Sequence, residues 1–243
     1  FMKIVKLKNF AKQVRKNIIY TAYKAGAKSA HIGGALSIAD LVAVLYSDII
    51  KIKKSKKVDE NRDRFILSKG HACLALYSAL VEKKLLKKKD LETFESDGSK
   101  LLGHPIINKI DGIEFSTGSL GMGLSLGVGV ALAAKKKKKN YKVYVIIGDG
   151  ECNEGSIWEA AMLAAGQKVH QLTALIDYNK WQATGRSQEV LALDPLAEKW
   201  RAFGWEVDEV DGHDHEQLEA KLRAHSEKGP RMIVAHTVKG KGI

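Results

Sequence analysis

The sequence predicts an α/β fold: a doubly wound, mostly parallel sheet with helices on both faces, forming a single domain over residues 1–243. Three observations carry this expectation. From about residue 64 onward, short apolar runs alternate with segments of helical periodicity, and continuously apolar strands are those of a parallel sheet covered on both faces. The runs end in loops that combine glycine with an acid, an amide, a lysine or a histidine, and ligands of such sheets bind beyond the carboxyl ends of the strands. No Pro/Gly/Ser-rich linker and no internal repeat divides the 243 residues, a length that buries roughly 70–75% of its unfolded surface.

The elements follow in order. Residues 9–27 carry Phe10, Val14, Ile18 and Ala22 at helical spacing. Residues 37–49 read as a helix with Ser37 as N-cap and Asp40 in the first turn. Residues 71–85 form a third helical pattern. Residues 121–134 are rich in Gly and Ala and apolar all round, so that helix is expected to be buried and closely packed against another backbone. Strands are expected at 64–67, 142–147, 172–176, 206–210 and 232–235, separated in the later half by helices at 156–165, 195–203 and 216–226.

Composition excludes several classes. Hydrophobic residues make up 45% and charged residues 28%, which argues against disorder. No apolar run reaches the 18 residues a membrane span needs, and the first 16 residues alternate charge with apolar groups unlike a secretory leader. Cys73 and Cys152 stand far apart, as reduced thiols of a cytoplasmic protein do. The net charge of +12 is unevenly spread: residues 1–150 hold 29 Lys+Arg against 13 Asp+Glu, a net of +16, and residues 151–243 hold 11 against 15, a net of −4. Lysine runs at 51–57, 83–89 and 135–139 account for much of the excess. A non-catalytic nucleic-acid-binding module is the remote reading of this basic half, but such modules interleave aromatic platforms with their cations. Aromatics are 7% and none interrupts the runs. The runs therefore read as solvated loops and helix ends, and no nucleic-acid partner is expected.

The chemistry gathers at the strand ends. Gly148-Asp149-Gly150 directly follows an apolar run; its glycines allow a sharp turn and close approach of a phosphate, and its acid is a hard ligand for Mg²⁺ or Ca²⁺. Asn179 follows 30 residues later, one strand–helix–strand unit on, so adjacent parallel strands would bring it beside Asp149. A metal held by one Asp and one Asn needs phosphate oxygens to complete its shell. The helix opening near Gly155 would point its N-terminus at the same phosphate. Competing motifs fail. Counted from Asp149, the EF-hand positions six and twelve are Glu154 and Ala160 rather than Gly and Glu. Gly121, Gly123 and Gly127 have the wrong spacing for a dinucleotide fingerprint. His31, His71 and His104 each sit beside glycine rather than on an apolar face, as proton-moving groups near neutral pH would. His213 and His215, in DGHDH, read as a solvated turn.

The blocks AHIGGALSIADLVAVLY, DRFILSKGHACLALYSAL, GHPIINKIDGIEFSTGSLGMGLSLGVGVALA, GDGECNEGSIWEAAMLAA, DYNKWQATG and HTVKGKGI resemble the thiamine-diphosphate-binding half of a transketolase, in family order from about Phe10 to the last residue. The resemblance implies the pyrophosphate-binding, N-terminal subunit of a split transketolase, since the pyrimidine-binding and C-terminal domains lie outside this chain. It implies transfer of a two-carbon ketol unit between sugar phosphates, as in the pentose phosphate pathway, by a cytoplasmic α2β2 heterotetramer completed by a C-terminal partner chain. Related readings are a 1-deoxyxylulose-5-phosphate synthase, a dihydroxyacetone synthase or a transketolase of unusual sugars.

Residue by residue, the resemblance implies that Asp149, Asn179 and the main-chain carbonyl of Trp181 ligate Mg²⁺ (or Ca²⁺), although the family usually has a smaller aliphatic residue at Trp181. Gly148 and Gly150 line the diphosphate, and Gly118, Ser119 and Leu120 hold the ring region of the cofactor. His31, His71 and His104 face the reacting carbons as the catalytic set. Lys69 and Lys239 flank the diphosphate and substrate channel. Glu154 and Glu159 correspond to acids at the subunit interface, and a further histidine of the family falls just beyond Ile243.

Overall fold

The computed structural model describes residues 2–28, 30–53, 59–108 and 112–243; most of the lysine run at 51–57 and part of the block at 103–133 lie outside the described residues. Five strands, β1 (Arg64–Leu67), β2 (Val143–Gly148), β3 (Leu172–Tyr178), β4 (Glu206–Asp211) and β5 (Arg231–His236), form one sheet in the order β1-β2-β3-β5-β4. Every pairing is parallel, so the sheet is fully rather than mostly parallel. Strand residues alternate between two cores. Tyr144, Ile146, Leu175 and Ile233 belong to one, and Val143, Val145, Ile147, Ala174 and Val234 to the other. The period of two sends successive side chains to opposite faces, and both faces are dry.

One face is covered by α1 (Met2–Ala25), α2 (Ile32–Ser37), α3 (Ala39–Val44), α4 (Cys73–Glu82) and α9 (His215–Arg223). The other is covered by α5 (Gly123–Lys136), α6 (Gly155–Gly166) and α8 (Leu196–Ala202), with the single turn α7 (Ser187–Val190) in the loop before α8. The chain runs outward from β1 to β3, jumps to the edge at β4 and returns inward to β5. That reversal puts α9 on the face opposite α8. Both edges are unfavourable for further pairing: β1 has four residues, and β4 exposes Glu206, Glu209 and Asp211.

Two expectations are corrected. The predicted helix at 37–49 is three pieces, because the helical bonding breaks at Ile38 and widens into a π turn over Leu45–Ile49. Ser37 is therefore not an N-cap: it ends α2, is buried, and turns its hydroxyl toward the Gly34 carbonyl and Asp177. The Gly/Ala-rich helix α5 is not buried all round. Its Gly123 and Gly127 press against the sheet, where an added Cβ would sit 2.3 Å from the Ser68 Cβ and 2.5 Å from a Val145 methyl. Its other side exposes Ser125, Leu126 and Gly129. Small residues thus bring one side close to the sheet and leave the other open. Among the described residues no helix is long and apolar enough to cross a membrane.

Candidate active site

Beyond the carboxyl ends of β1, β2, β3 and β5 lies a cleft of about 580 Å³. Of the residues singled out from the sequence, all but Ser119 and Glu159 line it: His31, Lys69, His71, His104, Gly118, Leu120, Gly148, Asp149, Gly150, Glu154, Asn179, Trp181 and Lys239. Ser119 is exposed beside the rim, and Glu159 is exposed on α6.

The register explains the central pair. Gly148 is paired with Asp177 across β2 and β3, so Asp149 and Asn179 leave neighbouring strand ends together. Asp149 is 2% exposed. Its oxygens accept from the Gly150 N–H at 2.9 Å and from the Lys180 N–H and Ser187 hydroxyl at 2.8 Å each. These donors are neutral. Burial, reinforced by the nearby Asp177 charge, raises the Asp149 carboxyl above its ordinary range against those hydrogen bonds. Asn179 donates to Asp177 at 2.7 Å and accepts from the Trp181 N–H at 3.0 Å, which sets the orientation of its amide. Among the described residues no three His, Cys, Asp or Glu side chains converge as a self-sufficient metal cage.

Two buried acids that the sequence reading did not single out organise the site. Asp177, fully buried at the end of β3, takes the Lys69 ammonium, the Ser37 and Thr237 hydroxyls and the Asn179 amide. Burial pushes this carboxyl up, but Lys69 and the two hydroxyls outweigh it and hold it below the usual range. Lys69 is therefore anchored to the protein rather than free in the cleft. Glu151, 1% exposed, accepts from the Ser68 hydroxyl and from the Gly121 and Gly148 N–H groups. It ties the β1 end, the β2 end and the loop before α5 into one bracket. An acid directly after the buried run LTALI and another inside GDGE were the available signals, but most of their partners (Ser37, Lys69 and Thr237 for Asp177, Ser68 and Gly121 for Glu151) lie too far away in sequence to be read from it.

The histidines face the cleft from three segments. His31 precedes α2, His71 sits in the 3₁₀ turn Gly70–Ala72 before α4, and His104 lies in a loop. The His31 and His71 ring centres are 5.6 Å apart, and those of His31 and His104 6.3 Å. Burial first, then Lys69 and the other two rings, lowers His71 to about 3, so it is neutral at physiological pH. Close backbone contact fixes the turn: a Cβ on Gly70 would meet the Thr117 main chain at 2.9 Å. Gly118 has a φ of +148° with His104 against it, a conformation glycine adopts without strain.

His213 and His215 are not solvated. Both contact Asp40, at 2.7 and 2.9 Å, and Arg15 binds the same carboxylate with both amino groups.

Comparison with known proteins agrees with this geometry. Residues 8–243 match the family described as transketolase, thiamine diphosphate binding domain. One of the subunits of the apulose-4-phosphate transketolase of Phocaeicola vulgatus is 42% identical over all of this chain and 86% of its own length. The 6-deoxy-6-sulfo-D-fructose transketolase subunit of a Clostridium species is also 42% identical, over 98% of this chain and 86% of its own. Human transketolase is 36% identical over 99% of the chain, which spans 38% of that longer protein. Among solved structures, the transketolase from Pichia stipitis in complex with sedoheptulose 7-phosphate superposes with a TM-score of 0.89 at 31% identity, over 98% of this chain and 37% of that one. Strand order, strand-end chemistry and sequence all converge: the chain belongs to the transketolase family, as its thiamine diphosphate binding domain.

Proposed function

We propose that this chain is the pyrophosphate-binding subunit of a two-chain transketolase, a single domain over residues 1–243. With a partner carrying the pyrimidine-binding domain, it transfers a two-carbon ketol unit from a ketose phosphate to an aldose phosphate. The observation that carries the reading is Asp149. It is a buried acid at a strand end, and among the described residues it makes no ion pair.

The residues fit a divalent metal and a diphosphate. A carboxylate satisfied by neutral donors alone, with an amide oxygen and a backbone carbonyl that has no donor among the described residues, is a sparse oxygen set suited to Mg²⁺ that keeps phosphate ligands. Asp149, Asn179 and the Trp181 carbonyl would hold the metal. Gly148 lines the cleft, and an added Cβ there would lie in van der Waals contact with Glu151 and Lys69. Asn153 and Glu154 line the cleft and lead into α6, which begins without a side-chain cap, leaving its positive end for an anion. Lys239 adds positive charge at the same wall, and Lys69 flanks it while paired with Asp177. The cleft volume lies within the ~300–1,000 Å³ of small-molecule sites.

Thiamine diphosphate, when bound, supplies the electron sink that carbon–carbon cleavage beside a carbonyl requires. The chain's own residues position and move protons. His71, neutral at physiological pH, is placed to hydrogen-bond a substrate hydroxyl through its ring nitrogens. His31 and His104, exposed at the rim, bind the sugar hydroxyls. Gly118 and Leu120 would form a wall for the cofactor ring, with Ser119 beside it at the rim, and the exposed Trp181 indole, with the Arg186 guanidinium over it, borders the metal side of the cleft.

The partner is supported by an apolar patch. Leu120, Met122 and Leu126, next to or on α5, and Met162 and Leu163, on the adjacent α6, are each 38–56% exposed. Glu159 precedes Met162 and Leu163 by one helical turn, which aligns it with them and supports an interface role for it together with Glu154. Two copies of each chain would share the active sites. The substrate reading has a second form, favoured by the two relatives at 42% identity, which are named for apulose-4-phosphate and 6-deoxy-6-sulfo-D-fructose: the donor is a less common ketose rather than one of the pentose phosphate pathway.

The test mixes purified chain and partner, and follows ketol transfer from xylulose 5-phosphate and from less common ketoses. Either chain alone is expected to be inactive. Asp149→Ala is expected to lose metal-dependent cofactor binding in calorimetry while keeping its fold. Unchanged cofactor affinity in that variant would overturn the metal assignment, and robust turnover by this chain alone would overturn the two-chain reading.

A further inference from the structure

Lys239 reaches the cleft from a segment, Thr237 to Lys241, that belongs to no helix or strand. The side chain is exposed, and its ammonium has one long contact, 3.5 Å to the Gln182 carbonyl. Its stem lies against Gly33, where a Cβ would come within 3.3 Å of the Lys239 Cγ. With so little holding the side chain, the reach of this charge into the cleft depends on where the main chain places its stem.

That main chain is pinned at four residues, Thr237, Val238, Gly240 and Lys241, the first also through its N–H to the Tyr178 carbonyl at 3.3 Å. The Thr237 hydroxyl donates to Asp177. The Val238 N–H donates to the His213 Nε2 at 2.9 Å. The Gly240 N–H donates to the Gly33 carbonyl at 3.0 Å. The Lys241 carbonyl accepts from the Arg15 Nε at 3.1 Å. The pins at Val238 and Lys241 come from one polar cluster, because Arg15 and His213 both bind Asp40.

His213 is bonded at both ring nitrogens, and this settles its proton. Nε2 accepts from Val238 and so carries no hydrogen; Nδ1, 2.7 Å from Asp40, carries it and donates. The imidazole is a neutral rigid spacer between a buried carboxylate and a backbone amide. Asp40 cannot shift to follow it, since the Arg15 guanidinium and the His215 Nε2 hold the same carboxylate.

We infer that His213 is a positioning residue for Lys239: it transmits the fixed location of Asp40 to the main chain at Val238 and so holds the Lys239 ammonium at the cleft wall. The inference rests on the proposed role of Lys239 toward the diphosphate.

Two readouts test it. In the chain itself, hydrogen exchange at the Val238 and Gly240 amides is compared among wild type, His213→Phe and His213→Gln. The phenyl ring fills the space without either hydrogen bond, whereas the glutamine amide offers a donor to Asp40 and an acceptor to Val238. Exchange at Val238 is expected to rise about tenfold in His213→Phe, the loss of one hydrogen bond, and to be partly restored in His213→Gln, with thermal stability showing that both variants fold. In the complex with the partner subunit, thiamine diphosphate affinity in Mg²⁺ is measured by calorimetry for His213→Phe, Lys239→Ala and the double variant. Each single change is expected to weaken binding, and the double variant to be no weaker than Lys239→Ala. Full additivity, or an effect of Lys239→Ala with none of His213→Phe, overturns the positioning role while leaving the reading of Lys239 intact. Unchanged affinity in Lys239→Ala overturns both.

Discussion

Replacing Asp177 by Asn removes one charge from the centre of the fold and leaves the side chain's shape. Asp177 is fully buried, and the Lys69 ammonium against it is 2% exposed. The variant leaves that ammonium without its anion. Removing one member of a buried pair costs about 3–5 kcal/mol. An independent ceiling comes from letting the amine lose its proton: a lysine of ordinary pKa costs about 5 kcal/mol to neutralise at pH 7. The two figures agree, so a loss of about 3–5 kcal/mol is expected. At roughly 2–4 °C per kcal/mol for a chain of this size, that lowers the midpoint of melting by about 6–20 °C. The reverse change, Lys69→Met, is expected to cost less, because Asp177 keeps donors from Ser37, Asn179 and Thr237. Urea unfolding at pH 7 of both single variants and the double variant measures the order and the coupling. A loss below about 1 kcal/mol in Asp177→Asn, or a larger loss in Lys69→Met, would refute the picture of Lys69 as a cation held by this carboxylate.

Two further outcomes follow from buried contacts. An unfolded histidine takes a proton below a pH of about 6.5, while folded His71 stays neutral down to about 3; the unfolded chain binds the extra proton in that window, so stability is complete above it and falls as pH drops through it. His71→Gln is expected to flatten that slope in urea unfolding between about pH 4 and 7, and an ordinary midpoint for His71 by NMR would contradict the burial argument. Gly123→Ala would drive a methyl to 2.3 Å from the Ser68 Cβ; a loss of about 1–3 kcal/mol is expected from such overpacking, and unchanged thermal stability would show that α5 is free to move away from β1.

The central strands were readable because buried parallel strands leave a largely apolar run followed by a polar loop, β4 with its exposed acids being the exception: 64–67 matches β1 in both bounds, and Asp149 and Asn179 emerged as neighbours from spacing alone. Local pattern failed where distant partners decide. Ser37 has the residue type of an N-cap, but its hydroxyl is claimed by Asp177, 140 residues away. DGHDH has the composition of a solvated turn, and Asp40, from α3, makes it a buried junction. Asp177 read only as the first residue of the loop after 172–176, because three of its four partners, Ser37, Lys69 and Thr237, come from distant segments. Ser119 and Glu159 were carried by resemblance alone: Ser119 falls outside the cleft lining, and Glu159, expected at an interface rather than in the cleft, is exposed on α6.

The acidic edge strand also governs how this chain meets others. β4 presents Glu206, Glu209 and Asp211 to solvent along the one long open edge of the sheet. Two copies aligned there would bring carboxylates against carboxylates, so the sheet cannot lengthen by adding a strand from a neighbour and resists fibre-like stacking. The opposite edge, four residues long, offers too short a template. Association is left to helix and loop surfaces, and a partner seated where the cleft opens, as proposed above, would close the binding site in the same event.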